Sequence, residues 1–238
     1  MSSVLVVLAV VAVIGLVVAI AVISYLVEKK RRQALGALAA ARGWSWVERD
    51  DRWADAFDGA PFGLGHNRQA RNILQGQHDG RPFVGFDYVY YTTETSTDSK
   101  GHTSRREVAH WYSVLGLQVG ADVPTLEVTP EGLFSRAVGK LFNTDITFES
   151  EEFNRAFTVE SPDRKFAYDM LHPRLMEYLL TVRHVAWKTM NGHILTIEQG
   201  KHSPDEIEPR VQVLDTILDM VPDFLRQQYG LPGSQEIR

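Results

Sequence analysis

The fold is decided by the stretch "RPFVGFDYVYY", residues 81–91, which is apolar or aromatic at almost every position. Successive side chains of a β-strand point to opposite faces of its sheet. One face carries Val84, Phe86, Tyr88 and Tyr90, and the other carries Phe83, Val89 and Tyr91. Because a strand with one solvated face alternates between apolar and polar residues, this pattern predicts a central strand covered on both faces.

The flanking residues predict antiparallel neighbours for this strand. Asp79-Gly80 is a strong signal for a two-residue turn, so residues 68–78 should form the preceding strand of a hairpin. The stretch "REVAHWYSVLGLQV", residues 106–119, predicts the next strand, with one apolar face formed by Trp111, Leu115, Leu117 and Val119. The intervening residues 92–106 are rich in Ser, Thr and Gly, and they predict a long mobile loop.

The second half of the chain mixes helices with short strands. "DITFES", residues 145–150, predicts a strand, and residues 151–157 predict a short helix capped by Ser150. A longer helical stretch begins at Ser161-Pro162 and is interrupted at Pro173.

Residues 183–199 predict a hairpin whose register can be argued from its apolar residues. A two-residue Asn191-Gly192 turn would pair Met190 with His193 and would give two mixed faces. A three-residue loop over residues 190–192 pairs Trp187 with Leu195 and Val185 with Ile197, which gives one apolar face. Because the apolar pattern usually sets the register, we expect the three-residue loop.

The last element, residues 203–230, has the spacing of a capping box in Ser203 and Glu206. Its apolar residues follow a helical period, Pro222 should kink the helix, and Gly230 should end it. The elements together predict an α+β fold, in which a single N-terminal transmembrane helix precedes a mixed domain with a mainly antiparallel sheet and packed helices.

The transmembrane prediction rests on residues 4–27, "VLVVLAVVAVIGLVVAIAVISYLV". A helix of this length spans about 36 Å, which exceeds the hydrocarbon thickness of a bilayer, about 30 Å. A cleaved signal peptide would begin with basic residues, whereas here the basic residues follow the apolar run. We therefore expect a retained membrane anchor, with the lipid bilayer as the partner of residues 4–27.

Orientation follows from "EKKRR", residues 28–32, because basic residues next to a span resist translocation. The N-terminus should lie outside, and the C-terminal domain should lie in the cytoplasm, at the cell membrane. We divide the chain into a transmembrane anchor with a basic collar (1–32), a helical connector (33–43) and a single α+β cytoplasmic domain (44–238).

Composition excludes several classes of function. The chain has no Cys, so disulfides and thiolate metal sites are excluded. A formal net charge of −5 gives no indication of a nucleic-acid partner.

Asp87 is the most notable acid, because it lies inside the aromatic strand. A buried carboxylate needs a partner, and we expect Arg71 or Arg68 on the neighbouring strand to pair with it for structural reasons.

We predict neither a metal nor a cofactor. His184, His193 and His202 recur every nine residues, but the first two should point to opposite faces of the hairpin. "GLFSRAVGKL", residues 132–141, is similar to a phosphate-binding loop, but its glycines are too far apart and Leu141 replaces the Ser or Thr that holds magnesium. No residue is therefore assigned a catalytic role.

Three stretches resemble a bacterial family of membrane-anchored proteins known as a domain of unknown function (DUF3137). They are "DITFESEEFNRAFTVESPDRKFAYDMLHPRLMEYLL" (145–180), "NGHILTI" (191–197) and "GFDYVYYT" (85–92). The resemblance covers about residues 60–200. It implies an α+β module in the cytoplasm or against the membrane, without established activity and without catalytic residues to transfer.

These observations favour a membrane-tethered cytoplasmic interaction or scaffold module with a protein partner at the membrane and no evident catalytic chemistry. One alternative is a small-molecule or lipid-binding domain whose aromatic strands line a pocket. The other is an unrecognised hydrolase, which a pocket in which Asp87, a His and an Arg converge would favour.

Overall fold

The computed structural model describes residues 3–97, 102–132 and 146–232. Its strands form one eight-stranded sheet in which every neighbouring pair is antiparallel, in the order β1-β2-β3-β4-β8-β7-β5-β6. The strands are β1 (Ser45–Arg49), β2 (His66–His78), β3 (Arg81–Thr97), β4 (Thr103–Gln118), β5 (Leu126–Pro130), β6 (Phe157–Glu160), β7 (Trp187–Met190) and β8 (His193–Gln199).

The helices are α1 (Ser3–Arg42), α2 (Glu151–Ala156), α3 (Arg164–Met170), α4 (Pro173–Thr181), α5 (Pro204–Asp219) and α6 (Asp223–Tyr229). A short 3-10 helix, Asp51–Asp55, follows β1. The predicted α+β class, with one long apolar N-terminal helix before a mainly antiparallel domain, is confirmed.

The predicted central strand is β3, which lies between β2 and β4 and is buried from Phe83 to Tyr90. The Asp79-Gly80 turn is also confirmed, and both of its residues have positive φ angles, 46° and 79°. That conformation matches the twist of an antiparallel hairpin and favours Asp-Gly.

Different layers cover the two faces of the sheet. The helix face packs against α1 and α5 and includes Phe83, Leu115, Leu117 and Ile194. The loop face packs against the segment from Ala54 to Phe62 and includes Val84, Phe86, Tyr88 and Leu195. Aromatic side chains of the loop face contact one another, as in the stacked pair Phe57 and Phe86, whose ring centroids are 6.3 Å apart.

Helix termini follow the predicted breaks. Ser150 caps α2 by accepting a hydrogen bond from the backbone N–H of Phe153. Pro173 begins a separate helix, and Gly230 ends α6 with a φ of 67°. The capping box at residue 203 is wrong, because the Ser203 side chain makes no capping hydrogen bond.

The long loop predicted at residues 92–106 is wrong, since most of it continues the β3–β4 ladder. Thr92 to Thr97 pair with Val108 to Thr103. Threonine has a high strand propensity because its β-branched side chain suits a pleated surface, so cross-strand pairing forms here despite the polar composition. This exposed ladder is a two-stranded arm at the end of β3 and β4.

The predicted register of the β7–β8 hairpin is also wrong. Met190 pairs with His193 and Lys188 pairs with Leu195, so the turn contains only Asn191 and Gly192. Apolar alternation fails as a guide here because all four residues of β7 are buried, so both faces of the strand are covered. The positive φ angles of Asn191 and Gly192, 47° and 70°, suit the short turn.

The strand predicted at residues 145–150 is absent from the described residues 146–150. The side chain of Asn154 bonds to both backbone groups of Phe148, at 2.9 and 2.7 Å, and directs the chain into α2 instead. The strand at this edge of the sheet is β6, which pairs with β5.

The anchor helix α1 has 40 residues and runs without interruption through the predicted boundary at residue 32. Its apolar part is not buried against the rest of the described chain, and the helix is long enough to cross a bilayer. Gly43 follows it with a φ of 66°, as expected of a C-terminal glycine.

Candidate functional site

The anchor helix enters the core of the domain on the helix face of the sheet. Leu35 and Ala39 are buried there in one cluster with Trp44, Leu74 and Phe83. One turn closer to the apolar run, Arg31 reaches the central strand. A nitrogen of its guanidinium lies 2.9 Å from a carboxylate oxygen of Asp87.

Asp87 is fully buried and is held from three directions. Besides Arg31, the side-chain amide of Asn72 donates a hydrogen bond at 2.8 Å, and the backbone N–H of His202 donates another at 2.8 Å. A buried carboxylate requires such partners, because an unpaired charge away from water is strongly unfavourable. We call Glu28, Arg31, Asn72, Asp87 and His202 the junction network.

The predicted partners of Asp87 are wrong. Arg71 bonds to Gln69 at 2.7 Å, and Arg68 pairs with Asp55 at 3.2 Å. Arg31 reaches the buried carboxylate because α1 packs against β1 and β2, next to the central strand.

Asn72 reaches Asp87 because β2 is irregular at this point. The β2–β3 register shifts between Arg71 and Leu74, and Asn72 has a φ of 52°. Asparagine tolerates this left-handed conformation better than most residues. The β-bulge thus turns the amide of Asn72 towards the carboxylate.

The outer side of the junction network is a set of ion pairs at the end of the apolar run. Glu28 accepts from Arg31 at 2.8 Å and from Lys201 at 3.2 Å. Partial burial acts to raise the pKa of Glu28, but hydrogen bonds and charges from Arg31 and Lys201 outweigh it and lower the pKa to about 2. Lys201 also lies 4.2 Å from the ring centroid of Trp111.

His202 is buried at the centre of the junction. Its Nε2 lies 3.1 Å from the backbone oxygens of both Phe86 and Val114. Because carbonyl oxygens only accept hydrogen bonds, Nε2 carries the proton and Nδ1 does not. Burial lowers the pKa of His202 to about 4, the charge of Asp87 opposes this shift, and the guanidinium of Arg210 reinforces it.

Arg210 of α5 extends the polar contacts across the sheet. It bonds to the hydroxyls of Ser113 and Thr196, at 3.0 and 3.2 Å, and pairs with Glu198 at 3.1 Å. Asp87 and Ser113 are partners in the β3–β4 ladder, and Ser113 and Glu198 are partners in the β4–β8 ladder. The two helices that cover this face therefore each contribute an arginine to the same polar row.

A Ser, a His and an Asp converge here, yet their geometry does not serve hydrolysis. Ser113, His202 and Asp87 have exposed fractions of 3%, 1% and 0%, so the packing leaves a substrate no access to them. Asp87 bonds to the backbone of His202 and not to its ring, and the Nε2 of the ring is engaged by backbone carbonyls. A general base would need that nitrogen directed at a nucleophile.

The fold is that of a known transport factor. Among solved structures, the chain is similar to the mycobacterial trehalose monomycolate transport factor A, TtfA, with a TM-score of 0.54 and 14% sequence identity. The similarity covers 81% of this chain and 95% of that one. At this identity the comparison shows a shared fold and transfers no residue roles.

No protein-family model and no curated protein matches the chain. The resemblance to the DUF3137 family therefore stays a prediction.

The remaining candidates from the sequence do not assemble into a site. His184 is exposed, His193 packs the edge of its ring against Phe57, and His202 is in the junction network. Within residues 3–97, 102–132 and 146–232, no group of three or more His, Asp or Glu side chains could hold a metal ion. The glycine-containing stretch at 132–141 lies almost entirely outside the described residues.

A second buried charged pair lies on the loop face. Lys188 and Glu127 are partners in the β5–β7 ladder, and both are buried. Burial lowers the pKa of Lys188 and raises that of Glu127, and each charge counteracts the shift of the other. Lys188 also donates to the backbone oxygen of Ala60 at 3.2 Å, so the pair ties the covering segment to the sheet.

Sequence reasoning identified Asp87 but missed the residues that hold it. Arg31 lies in the predicted basic collar, whose sequence signal concerns the orientation of the chain in the membrane. The spacing of His202 suggests only a metal site. Asn72 gave no signal, because a β-bulge is not visible in the composition of β2. One feature of the sequence was informative: Asp87 is surrounded by apolar and aromatic residues in β3, which indicates that its partner comes from another element.

Proposed function

We propose that this chain is a single-pass membrane protein whose cytoplasmic α+β domain is a non-catalytic interaction module, held at the bilayer in a fixed orientation. The observation that carries the proposal is the continuity of α1, which passes from the apolar run into the core without a break. A flexible linker would let the domain sample many orientations, whereas a helix fixes both its rotation and its distance from the membrane.

The junction network supports this proposal because it anchors the helix at the point where the domain begins. Arg31 bonds to Glu28, Asp87 and the backbone oxygen of His202, which belong to the helix, the central strand and the segment before α5. A module that only needed tethering would not require a buried ion pair between its anchor and its central strand. The arrangement suits a partner that is itself fixed in the membrane.

The comparison suggests a process in which the module could act. TtfA is described as a transport factor, and we extend to the present chain only the general proposal of a role in transport. The DUF3137 resemblance, which implies a membrane-apposed module without established activity, supports the same proposal.

The lipid-binding alternative requires a pocket lined by the aromatic strands. The aromatic side chains of the loop face are buried against one another. The ring centroids of Phe62 and Tyr88, for example, are 4.9 Å apart. This packing favours an interaction module over a ligand pocket at that position.

The orientation is tested by reporter fusions at the two termini of the full chain. We expect a reporter that is active only in the cytoplasm to function at the C-terminus and to fail at the N-terminus, because the basic residues 29–32 resist translocation. The opposite pattern would place the domain outside and would contradict the cytoplasmic assignment.

The fixed orientation is tested by inserting one alanine between Val27 and Glu28. The insertion rotates the domain by about 100° about the helix axis and moves it by about 1.5 Å, without altering any contact of the junction network. The control places the same alanine between Ser3 and Val4, where it does not rotate the domain relative to the apolar run. Both variants should melt at the wild-type temperature.

The measurement is quantitative recovery of crosslinked partners with the tagged full chain from solubilised membranes. We expect the insertion at residue 27 to reduce recovery of the main partner about tenfold, which corresponds to about 1.4 kcal/mol of binding free energy, and the control to leave it unchanged. Equal recovery with both variants would show that binding of the partner does not depend on the orientation of the domain.

A further inference from the structure

A groove lies between the anchor helix and β1, at the end of the apolar run. Its volume is about 410 Å³, and it is lined by Tyr25, Glu28, Lys29, Arg32, Gly36 and Trp46, among others. Tyr25 belongs to the last turn of the apolar run, whereas Gly36 lies about 16 Å further along the helix axis. The groove therefore opens at the membrane surface and continues along the side of the domain.

The charges of the groove favour an anion. Lys29 is exposed and makes no ion pair within the described part of the chain. Arg32 pairs with Glu48 and, at 3.3 Å, with Glu28. Glu28 is in turn neutralised by Arg31 and Lys201, so the ammonium of Lys29 is the uncompensated charge of the wall.

Trp46 forms an apolar wall of the groove. Its indole nitrogen is buried, so a ligand in the groove does not reach it. The exposed ammonium of Lys29 is therefore the group that would bind a phosphate oxygen.

We propose that this groove binds an anionic phospholipid of the surrounding bilayer. The phosphodiester lies against Lys29, the headgroup extends towards Gly36, and the acyl chains descend past Tyr25 along the apolar run. A lipid is the occupant because the groove continues from the apolar run and its lining is mainly apolar. This site goes beyond the interaction module proposed above and does not depend on its protein partner.

Gly36 provides a way to fill the groove without disturbing the fold. A Cβ added to Gly36 would meet no atom within 4 Å. Gly36→Ala should therefore be tolerated, and because alanine favours helices it should stabilise α1. Gly36→Leu should project into the headgroup end of the groove.

The test is native mass spectrometry of the full chain released from detergent micelles, with phosphatidylglycerol or phosphatidylcholine titrated in. We expect one molecule of phosphatidylglycerol to remain bound, at least about tenfold more tightly than phosphatidylcholine. Lys29→Gln and Gly36→Leu should each weaken that binding several-fold. Lys30→Gln, which removes an exposed charge outside the groove, is the matched control and should bind as the wild type does.

Other outcomes would overturn the proposal. Equal losses with Lys29→Gln and Lys30→Gln would show that the basic residues attract anionic lipid diffusely, without a site. Unchanged binding in Gly36→Leu would show that the lipid does not occupy the groove. Equally tight binding of soluble glycerol phosphate would assign the groove to a soluble anion, and equal affinity for phosphatidylcholine would exclude recognition of charge.

Discussion

Asp87→Ala is expected to destabilise the full chain by about 3–5 kcal/mol, because it breaks a buried ion pair and leaves the guanidinium of Arg31 with Glu28 at the edge of the network and no carboxylate on its inner side. The substitution also removes the acceptor of the Asn72 amide and of the His202 backbone N–H, both of which bond at 2.8 Å. Urea unfolding in mild detergent, followed by tryptophan fluorescence, measures the free energy. A loss below about 1 kcal/mol would contradict the structural role of the pair.

Two further variants make this result interpretable. Asp55→Ala removes an acid whose side chain is 70% exposed and which pairs with Arg68. The loss of unfolding free energy should be below about 1 kcal/mol, because exposed ion pairs contribute little to stability. Asp87→Asn keeps the shape of the side chain and one acceptor oxygen, so its stability should lie between those of the wild type and Asp87→Ala. It should fold even if the alanine variant does not.

A double-mutant cycle separates the contribution of the anchor from that of the strand. Arg31→Ala leaves Asp87 buried with only neutral hydrogen-bond donors, so it should also be strongly destabilising. The double variant Arg31→Ala with Asp87→Ala should lose less unfolding free energy than the sum of the losses in the two single variants, because both charges of the pair are then absent. In hydrogen exchange, Asp87→Ala should increase the exchange rate of residues 28–35 in α1 more than that of the distant helix α3.

The central part of the fold was predictable because local signals and long-range packing agree there. Asp79-Gly80 has the turn chemistry of its hairpin, and the two apolar faces of β3 correspond to the two layers that cover it. Pro173 and Gly230 act through their own backbone geometry, so their positions as helix boundaries did not depend on the rest of the chain.

Predictions failed where tertiary contacts override the local pattern. In β7 both faces are buried, so apolar alternation could not select the register, and the turn residues Asn191 and Gly192 selected it instead. At residues 92–97, a polar composition suggested a loop, but pairing with the neighbouring strand extends the ladder beyond the core.

The candidate site was only partly predictable for a related reason. Asp87 was recognisable as a buried acid, but its partners come from α1, from a bulge in β2 and from the segment before α5. Arg31 lies in a run of four basic residues whose sequence signal is that of membrane orientation. In the structure the run divides by function: Arg31 and Arg32 pair with acids of the domain, whereas Lys29 and Lys30 make no ion pair in the described residues.

The buried imidazole of His202 makes the junction sensitive to acid. Its pKa is lowered to about 4 in the folded protein, from an ordinary value of 6.5. Between these values the unfolded chain binds a proton that the folded chain does not, so stability rises with pH in this interval and is lost as the pH falls from 6.5 towards 4. The contribution of this one residue to the loss between pH 7 and pH 4 is about 3 kcal/mol.

His202→Gln tests this expectation, because a glutamine amide can still donate to the backbone oxygen of Phe86 or Val114 but does not titrate. At pH 7 the variant should be less stable than the wild type, and the difference should shrink and reverse as the pH falls, because only the wild type must exclude a proton from its core. His184→Gln removes an exposed histidine and should keep the wild-type pH profile. If the difference between wild type and His202→Gln is the same at pH 7 and pH 4, then His202 does not couple protonation to the junction. A reversal would instead show that the bond between anchor and domain weakens in acid, since the backbone of His202 donates to the same carboxylate that holds Arg31.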